Sequence, residues 1–202
     1  MNGYELCKTI KEDIAISHIP VILLTAKDDK QSLISGYKNG ADGYLSKPFE
    51  VEMLMELIRN RLKNREYTKK RYLNAGLIPT PEESTISLTD ETFLIKLNSI
   101  IQENIENSNL GIQFICQEVG LGRSSLYNKL KALTGMGANE YISKLRIEKA
   151  ITLISGTDMP FSEIAEKTGF TTPSYFSTAF KQYTGETPSQ YKERKKKGLA
   201  DK

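Results

Sequence analysis

Arg123, Ser124, Tyr127, Asn128 and Lys131 bring a guanidinium, an ammonium, an amide and two hydroxyl groups into one short stretch. At helical spacing these groups share one side, and Leu126, Leu130 and Leu133 fall on the other. A side-chain amide can pair bidentately with adenine, and a guanidinium can do so with guanine. Hydroxyls serve several bases, and Lys or Arg holds phosphate oxygens. Thr172, Ser174, Tyr175, Ser177, Thr178 and Lys181 form a second set of the same character, with Phe176, Phe180 and Tyr183 as its inward side.

Both sets belong to a repeat. Ile112-Gln113-Phe114-Ile115-Cys116-Gln117-Glu118-Val119-Gly120 returns as Phe161-Ser162-Glu163-Ile164-Ala165-Glu166-Lys167-Thr168-Gly169. The echo then slips by one residue. Ser124, Leu130-Lys131, Thr134-Gly135 and Tyr141 reappear as Ser174, Phe180-Lys181, Thr184-Gly185 and Tyr191. Each copy reads as a buttress helix, a glycine turn and a second helix that presents the polar set, the basic duplex-reading motif. Small residues at Cys116 and Ala165 let the second helix cross closely. Gly120 and Gly169 stand where the chain must turn with positive φ. A first helix, with Phe93, Leu94, Leu97, Ile100, Ile101 and Ile105 on one face, precedes the copies. A connector helix with Tyr141, Ile142, Leu145, Ala150, Leu153 and Ile154 joins them, stopped by Ser155-Gly156. A basic tail, Lys192-Glu193-Arg194-Lys195-Lys196-Lys197, closes the chain.

Residues 1–66 follow a different pattern. Glu5 to Lys11 suits a short helix, and Ile19-Pro20-Val21-Ile22-Leu23-Leu24-Thr25 suits a strand buried on both faces. Asp28 to Asn39 suits a helix with Asp28 as its N-cap and Asn39-Gly40 as its stop. Gly43 to Lys47 is a second strand, ended by Pro48. Val51, Leu54, Leu57, Ile58 and Leu62 recur at helical spacing through Arg65. This β-α-β-α order implies a parallel sheet, and two strands leave such a sheet incomplete. Residues 67–90, with two prolines among polar residues, read as a linker.

Composition bounds the function. The 202 residues are 39% hydrophobic and 26% charged, with a net charge of +3. Residues 1–90 hold 13 basic and 13 acidic side chains, and residues 91–202 hold 15 and 12, so the excess lies in the repeat-bearing part. No apolar run approaches the ~18 residues of a membrane helix. The N-terminal residues have no apolar core of a signal peptide, which points to the cytoplasm. Cys7 and Cys116 are expected to be reduced and buried rather than bridged. A thiol at Cys116 would then be inert, against an alkyl-transfer enzyme. His18 is the only histidine and has no cluster of ligands around it, so no metal is expected. There is no Ser/His/Asp constellation beyond that histidine and no glycine-rich phosphate cradle.

Residues 91–194 resemble the AraC/XylS family of transcription regulators. The second copy carries the resemblance in Ile164-Ala165, Gly169-Phe170, Ser174-Tyr175-Phe176-Ser177, Phe180-Lys181, Gly185, Pro188 and Tyr191. The first copy does so in Arg123-Ser124-Ser125-Leu126-Tyr127, Lys129-Leu130-Lys131 and Leu133-Thr134-Gly135. The resemblance implies two helix-turn-helix subdomains, joined by a rigid helix, that probe successive major-groove segments. Thr178 and Ala179 stand where members often carry Arg. Residues 19–65 resemble the second half of a response-regulator receiver domain. That resemblance makes Thr25 the switch hydroxyl, Tyr44 the switch aromatic and Lys47 the phosphate-contacting lysine, with Lys47-Pro48 in cis. The phosphorylated aspartate and acidic pair of the family would lie before Met1, so the three residues are expected to be unused remnants. The two resemblances together suggest the C-terminal end of a hybrid two-component regulator.

The expected fold is therefore mainly α. Residues 91–202 form an all-helical domain of two helix-turn-helix subdomains and a connector helix, preceded by an incomplete α/β receiver-like fragment at 1–66 and a linker at 67–90. The expected function is sequence-specific transcription regulation, with double-stranded DNA as partner and a second copy of the chain as a further one. No enzyme activity, cofactor, small-molecule substrate or membrane contact is expected. The alternative is a protein–protein interaction or dimerisation module.

Overall fold

The computed structural model describes the backbone of residues 2–26, 30–75 and 87–200. Contacts sort the chain into two compact units, residues 1–96 with 121–136, and residues 97–120 with 137–202.

Helix α1 (Gly3–Glu12) opens on a reciprocal cap: Asn2 Oδ1 accepts from the Glu5 amide at 2.9 Å, and Glu5 Oε2 accepts from the Asn2 amide at 3.0 Å. Strand β1 (Ile22–Thr25) leads through α2 (Lys30–Lys38) to β2 (Gly43–Ser46). The strands pair in parallel, Ile22 opposite Gly43 and Thr25 opposite Ser46. The expected strand from Ile19, buried on both faces, is corrected here: β1 has four residues, and Leu24 is 42% exposed. Among the described residues β1 has β2 as its one paired strand. The expected N-cap Asp28 lies outside the described residues.

Helix α3 (Val51–Ala75) runs ten residues beyond the stop expected at Arg65. It takes in the first part of the stretch read as a linker, and residues 76–86 of that stretch lie outside the described residues. Its continuation relies on charge rather than an apolar stripe, as in the ion pair of Lys69 with Glu66 at 2.7 Å. Helix α4 (Leu88–Glu103) follows, with the Ser87 hydroxyl accepting from the Asp90 amide.

The remaining helices are α5 (Ile112–Val119), α6 (Arg123–Thr134), α7 (Ala138–Gly156), α8 (Phe161–Lys167), α9 (Pro173–Thr184) and α10 (Pro188–Ala200). The sequence repeat is a repeat of backbone conformation. Gly120 and Gly169 take φ of +74° and +71°, and Gly135 and Gly185 take +77° and +84°. Gly169 is the stricter of the first pair. A Cβ there would lie 2.2 Å from the Ile105 carbonyl oxygen, whereas at Gly120 it would meet open space.

In the first unit α3 packs along α6, with Phe93 and Leu94 of α4 and Leu126, Leu130 and Leu133 of α6 buried. In the second, Ile147, Ala150 and Ile154 of α7 meet Ile164 and Ala165 of α8, Phe176 and Phe180 of α9, and Tyr191 of α10. Phe170, Phe176, Phe180 and Tyr191 form a chain of tilted and edge contacts at 5.4–5.7 Å. Each wholly buried phenylalanine contributes about 1.5–3 kcal/mol through lost apolar exposure. Tyr183, expected to face inward, is corrected: it is 41% exposed. Its hydroxyl needs a polar partner, and it donates to Glu148 at 3.2 Å.

Candidate nucleic-acid interface

On α6 the leucines turn one side inward, which leaves Arg123, Ser124, Tyr127, Asn128 and Lys131 all exposed. The helix starts directly at Arg123, after Gly122 in extended backbone, so Arg123 and Ser124 sit in the first turn with its free amides. Tyr127, Asn128 and Lys131 do not stand on an open face. They line one wall of a groove whose other wall is Leu62, Arg65, Glu66 and Lys69 of α3. Helical periodicity does not report this long-range neighbour, and of its residues Glu66 and Lys69 lie beyond the expected end of α3 at Arg65.

On α9, Thr172 is the N-cap, and its hydroxyl accepts from the Tyr175 amide at 3.2 Å. Ser174, Tyr175, Thr178 and Lys181 are exposed and Ser177 is half-buried. The Thr178 hydroxyl donates to the Ser174 carbonyl at 3.0 Å, so it has a local partner already. Tyr175 is 57% exposed and meets Phe170 edge-on at 5.7 Å. Ser177, Thr178, Lys181, Gln182 and Thr187 outline a shallow groove on this face. Ala179 is buried, so the small residue at that position packs inward and takes no part in the exposed set.

The exposed face of α9 is braced from behind. Lys144 and Glu148 of α7 lie 3.7 Å apart, and Tyr183 joins them. Burial pushes the Lys144 ammonium down and the Glu148 carboxyl up, and burial followed by the Glu148 charge pushes the Tyr183 phenol up. Part of the basic tail is engaged locally: Arg194 pairs with Glu186 at 2.7 Å and Lys192 with Asp158 at 3.3 Å. Lys195, Lys196 and Lys197 are exposed.

The three receiver-like residues lie on or just after the paired strands. Thr25 ends β1, Tyr44 lies opposite Leu23, and the Lys47 amide donates to the Thr25 carbonyl at 2.6 Å. Lys47-Pro48 is cis, and Lys47 is exposed. Among the described residues no group of three or more His, Cys, Asp or Glu could hold a metal ion. Cys7 and Cys116 are both free and buried.

One residue of α6 has a role that its place in the sequence pattern does not show. Lys129, next to the exposed Asn128, is fully buried. Its ammonium is ion-paired with Asp90 and donates to Ser17 Oγ at 2.7 Å, and Ser17 in turn donates to Asp90 at 2.7 Å. It also lies 5.0 Å from the centre of the Phe93 ring. Burial pushes its pKa down and the Asp90 hydrogen bond opposes that. This cluster ties α6 to the receiver-like segment and to the start of α4.

Two family models match the chain: a helix-turn-helix domain over residues 115–194 and a response regulator receiver domain over residues 1–59. The chain carries an AraC-type helix-turn-helix domain after a response-regulator receiver segment. It is 42% identical over 194 residues to Histidine kinase P4 of Formosa agariphila, covering 96% of this chain and 14% of that protein. It is 33% identical over 121 residues to the transcriptional regulatory protein YesN of Bacillus subtilis, covering 58% of this chain and 32% of that protein. The chain thus spans well under half the length of either relative. A transcriptional regulator of Chromobacterium violaceum with an AraC-type DNA-binding domain has the same fold over 54% of this chain and 96% of its own, at a TM-score of 0.50 and 24% identity. No helix among the described residues is long and apolar enough to cross a membrane.

Proposed function

We propose that this AraC-type domain, residues 91–202, reads double-stranded DNA in a sequence-specific way and serves as the cytoplasmic output end of a two-component transcription regulator. The observation that carries the reading is the repeated exposure of one polar face on the second helix of each copy. Arg123, Ser124, Tyr127, Asn128 and Lys131 form it on α6, and Thr172, Ser174, Tyr175, Ser177, Thr178 and Lys181 form it on α9. The major groove is wide enough for one helix, and these groups match its donors, acceptors and flanking phosphates. Asn128 is assigned to a base edge and Lys131 to phosphate. The chain performs no catalysis of its own in this reading. Thr25, Tyr44 and Lys47 are assigned to the switch positions of the receiver segment.

Because α3 flanks Tyr127, Asn128 and Lys131, a duplex that engages all three must share or take the space of that helix. The receiver segment therefore bears on affinity through packing.

The test separates reader from anchor. Asn128→Ala is expected to weaken binding to a selected site by about 1–3 kcal/mol and to relax preference at one position. Lys131→Ala is expected to weaken binding to all sequences alike and to flatten the salt dependence by about one unit. Equal behaviour of the two variants on selected and random duplexes would refute the assignment.

A further inference from the structure

Within the first unit lies a cavity of about 280 Å³, walled by the segment after α1, by α3, by the start of α4 and by the inner side of α6. That is roughly nine water volumes, at ~30 Å³ each. Its two carboxylates are already neutralised. Asp42 Oδ2 lies 2.6 Å from Lys11 Nζ, which also donates to the Ser17 and Ile19 carbonyls. Asp90 is held by Lys129 and Ser17.

The remaining cations are Arg61 and Arg65, one turn apart on α3, and no described carboxylate forms an ion pair with either. Arg61 Nε is buried without a hydrogen-bond partner, and so is His18 Nδ1 in the same wall. Buried polar groups without partners are costly, and unpaired buried charges more so. An apolar occupant would leave both guanidiniums uncompensated, and a cation would be repelled. A small oxyanion with two charges offers acceptor oxygens and compensating charge to both guanidiniums. Pro20, Ala132 and Leu133 supply a short apolar stretch of wall for a small carbon skeleton.

We propose that this cavity is a binding site for a small dianion of the phosphate or short dicarboxylate class, held by Arg61, Arg65 and His18. An occupant would bridge α3 to the surroundings of α6 and so strengthen the packing beside the exposed Asn128 and Lys131. The site is independent of whether α6 reads DNA, and its test uses no DNA.

His18 is the only histidine in the chain, so its imidazole signals in a magnetic-resonance spectrum report on this cavity alone. The full-length chain is titrated near neutral pH with inorganic phosphate, with succinate, and with acetate and chloride at matched ionic strength. Phosphate or succinate should shift the His18 ring signals saturably and raise the melting temperature, and acetate and chloride should do neither. The arm that saturates at lower concentration identifies the class. Arg61→Gln and Arg65→Gln should each weaken the effect roughly tenfold or more, as expected for loss of a charged hydrogen bond. Lys96→Gln, an exposed lysine of α4 away from the cavity, should leave it intact. Absence of a saturable His18 shift with both dianions overturns the proposal. So does an affinity unchanged in the arginine variants or lost in Lys96→Gln, either of which would place the anion on the surface.

Discussion

Lys129 shows how one residue changes sides on a helix that otherwise reads simply. It falls three residues after Leu126 and four before Leu133, on the inward stripe of α6, and it is fully buried against Asp90 and Ser17. Removing one member of a buried ion pair leaves the other uncompensated, which costs about 3–5 kcal/mol. Lys129→Met is therefore expected to lower stability by that amount in urea unfolding. Lys129→Met combined with Asp90→Asn should recover part of the loss, because no isolated charge is then buried. A double variant no more stable than the single one would contradict this account of the cluster. The stripe position of Lys129 was present in the sequence, but its partners lie 39 and 112 residues away, beyond any local pattern. The exposed residues were legible for the opposite reason. Asn128, Lys131 and Tyr175 needed nothing but helical periodicity and the leucines or phenylalanines behind them.

His18 offers a pH test at the same scale. Burial first, and the Lys129 charge next, push its pKa below the ordinary 6.5, with Arg65 and Lys11 adding to the effect and Asp90 opposing it. A lowered folded-state pKa means that the unfolded chain binds the proton first. The stability that His18 contributes is thus complete above about pH 6.5 and is lost as pH falls toward its folded-state value. His18→Gln should reduce the loss of stability between neutral pH and pH ~5, measured by urea unfolding at a series of pH values. An unchanged pH dependence would show that His18 is not held neutral by its surroundings.

At the scale of elements, glycine punctuation was the strongest signal and the structure gives it a graded meaning. Both Gly120 and Gly169 are left-handed, but only Gly169 has a carbonyl oxygen where a side chain would begin. Gly120→Ala should cost about 1–2 kcal/mol, the ordinary price of a left-handed alanine. Gly169→Ala should cost clearly more, because the Ile105 backbone must also move, and thermal unfolding of the two variants checks the order. Equal losses would mean that the second turn is no tighter than the first. The helices of the repeat were legible because each has an apolar face and a stop. The extent of α3 was not, since residues past Arg65 lack an apolar stripe and continue on helix propensity and pairs such as Glu66 with Lys69. The burial of β1 was overestimated, because an aliphatic run reports what a strand could bury and not what neighbours it has.

At the scale of the molecule, the compact units do not follow the order of the sequence. Residues 121–136, which hold α6, group with the receiver segment, and α9 belongs to the other unit. Linear motifs could locate both polar faces, but they carried no information on which faces have neighbours. The net charge of +3 is small, so non-specific attraction to phosphate is a weak rival explanation for any strong binding. The most direct test of the DNA-reading claim is selection from random duplexes with the full 202-residue chain. The account predicts an enriched motif with two information-bearing segments about 10 base pairs apart, one for each repeat copy. Enrichment of no motif above the starting pool would contradict it.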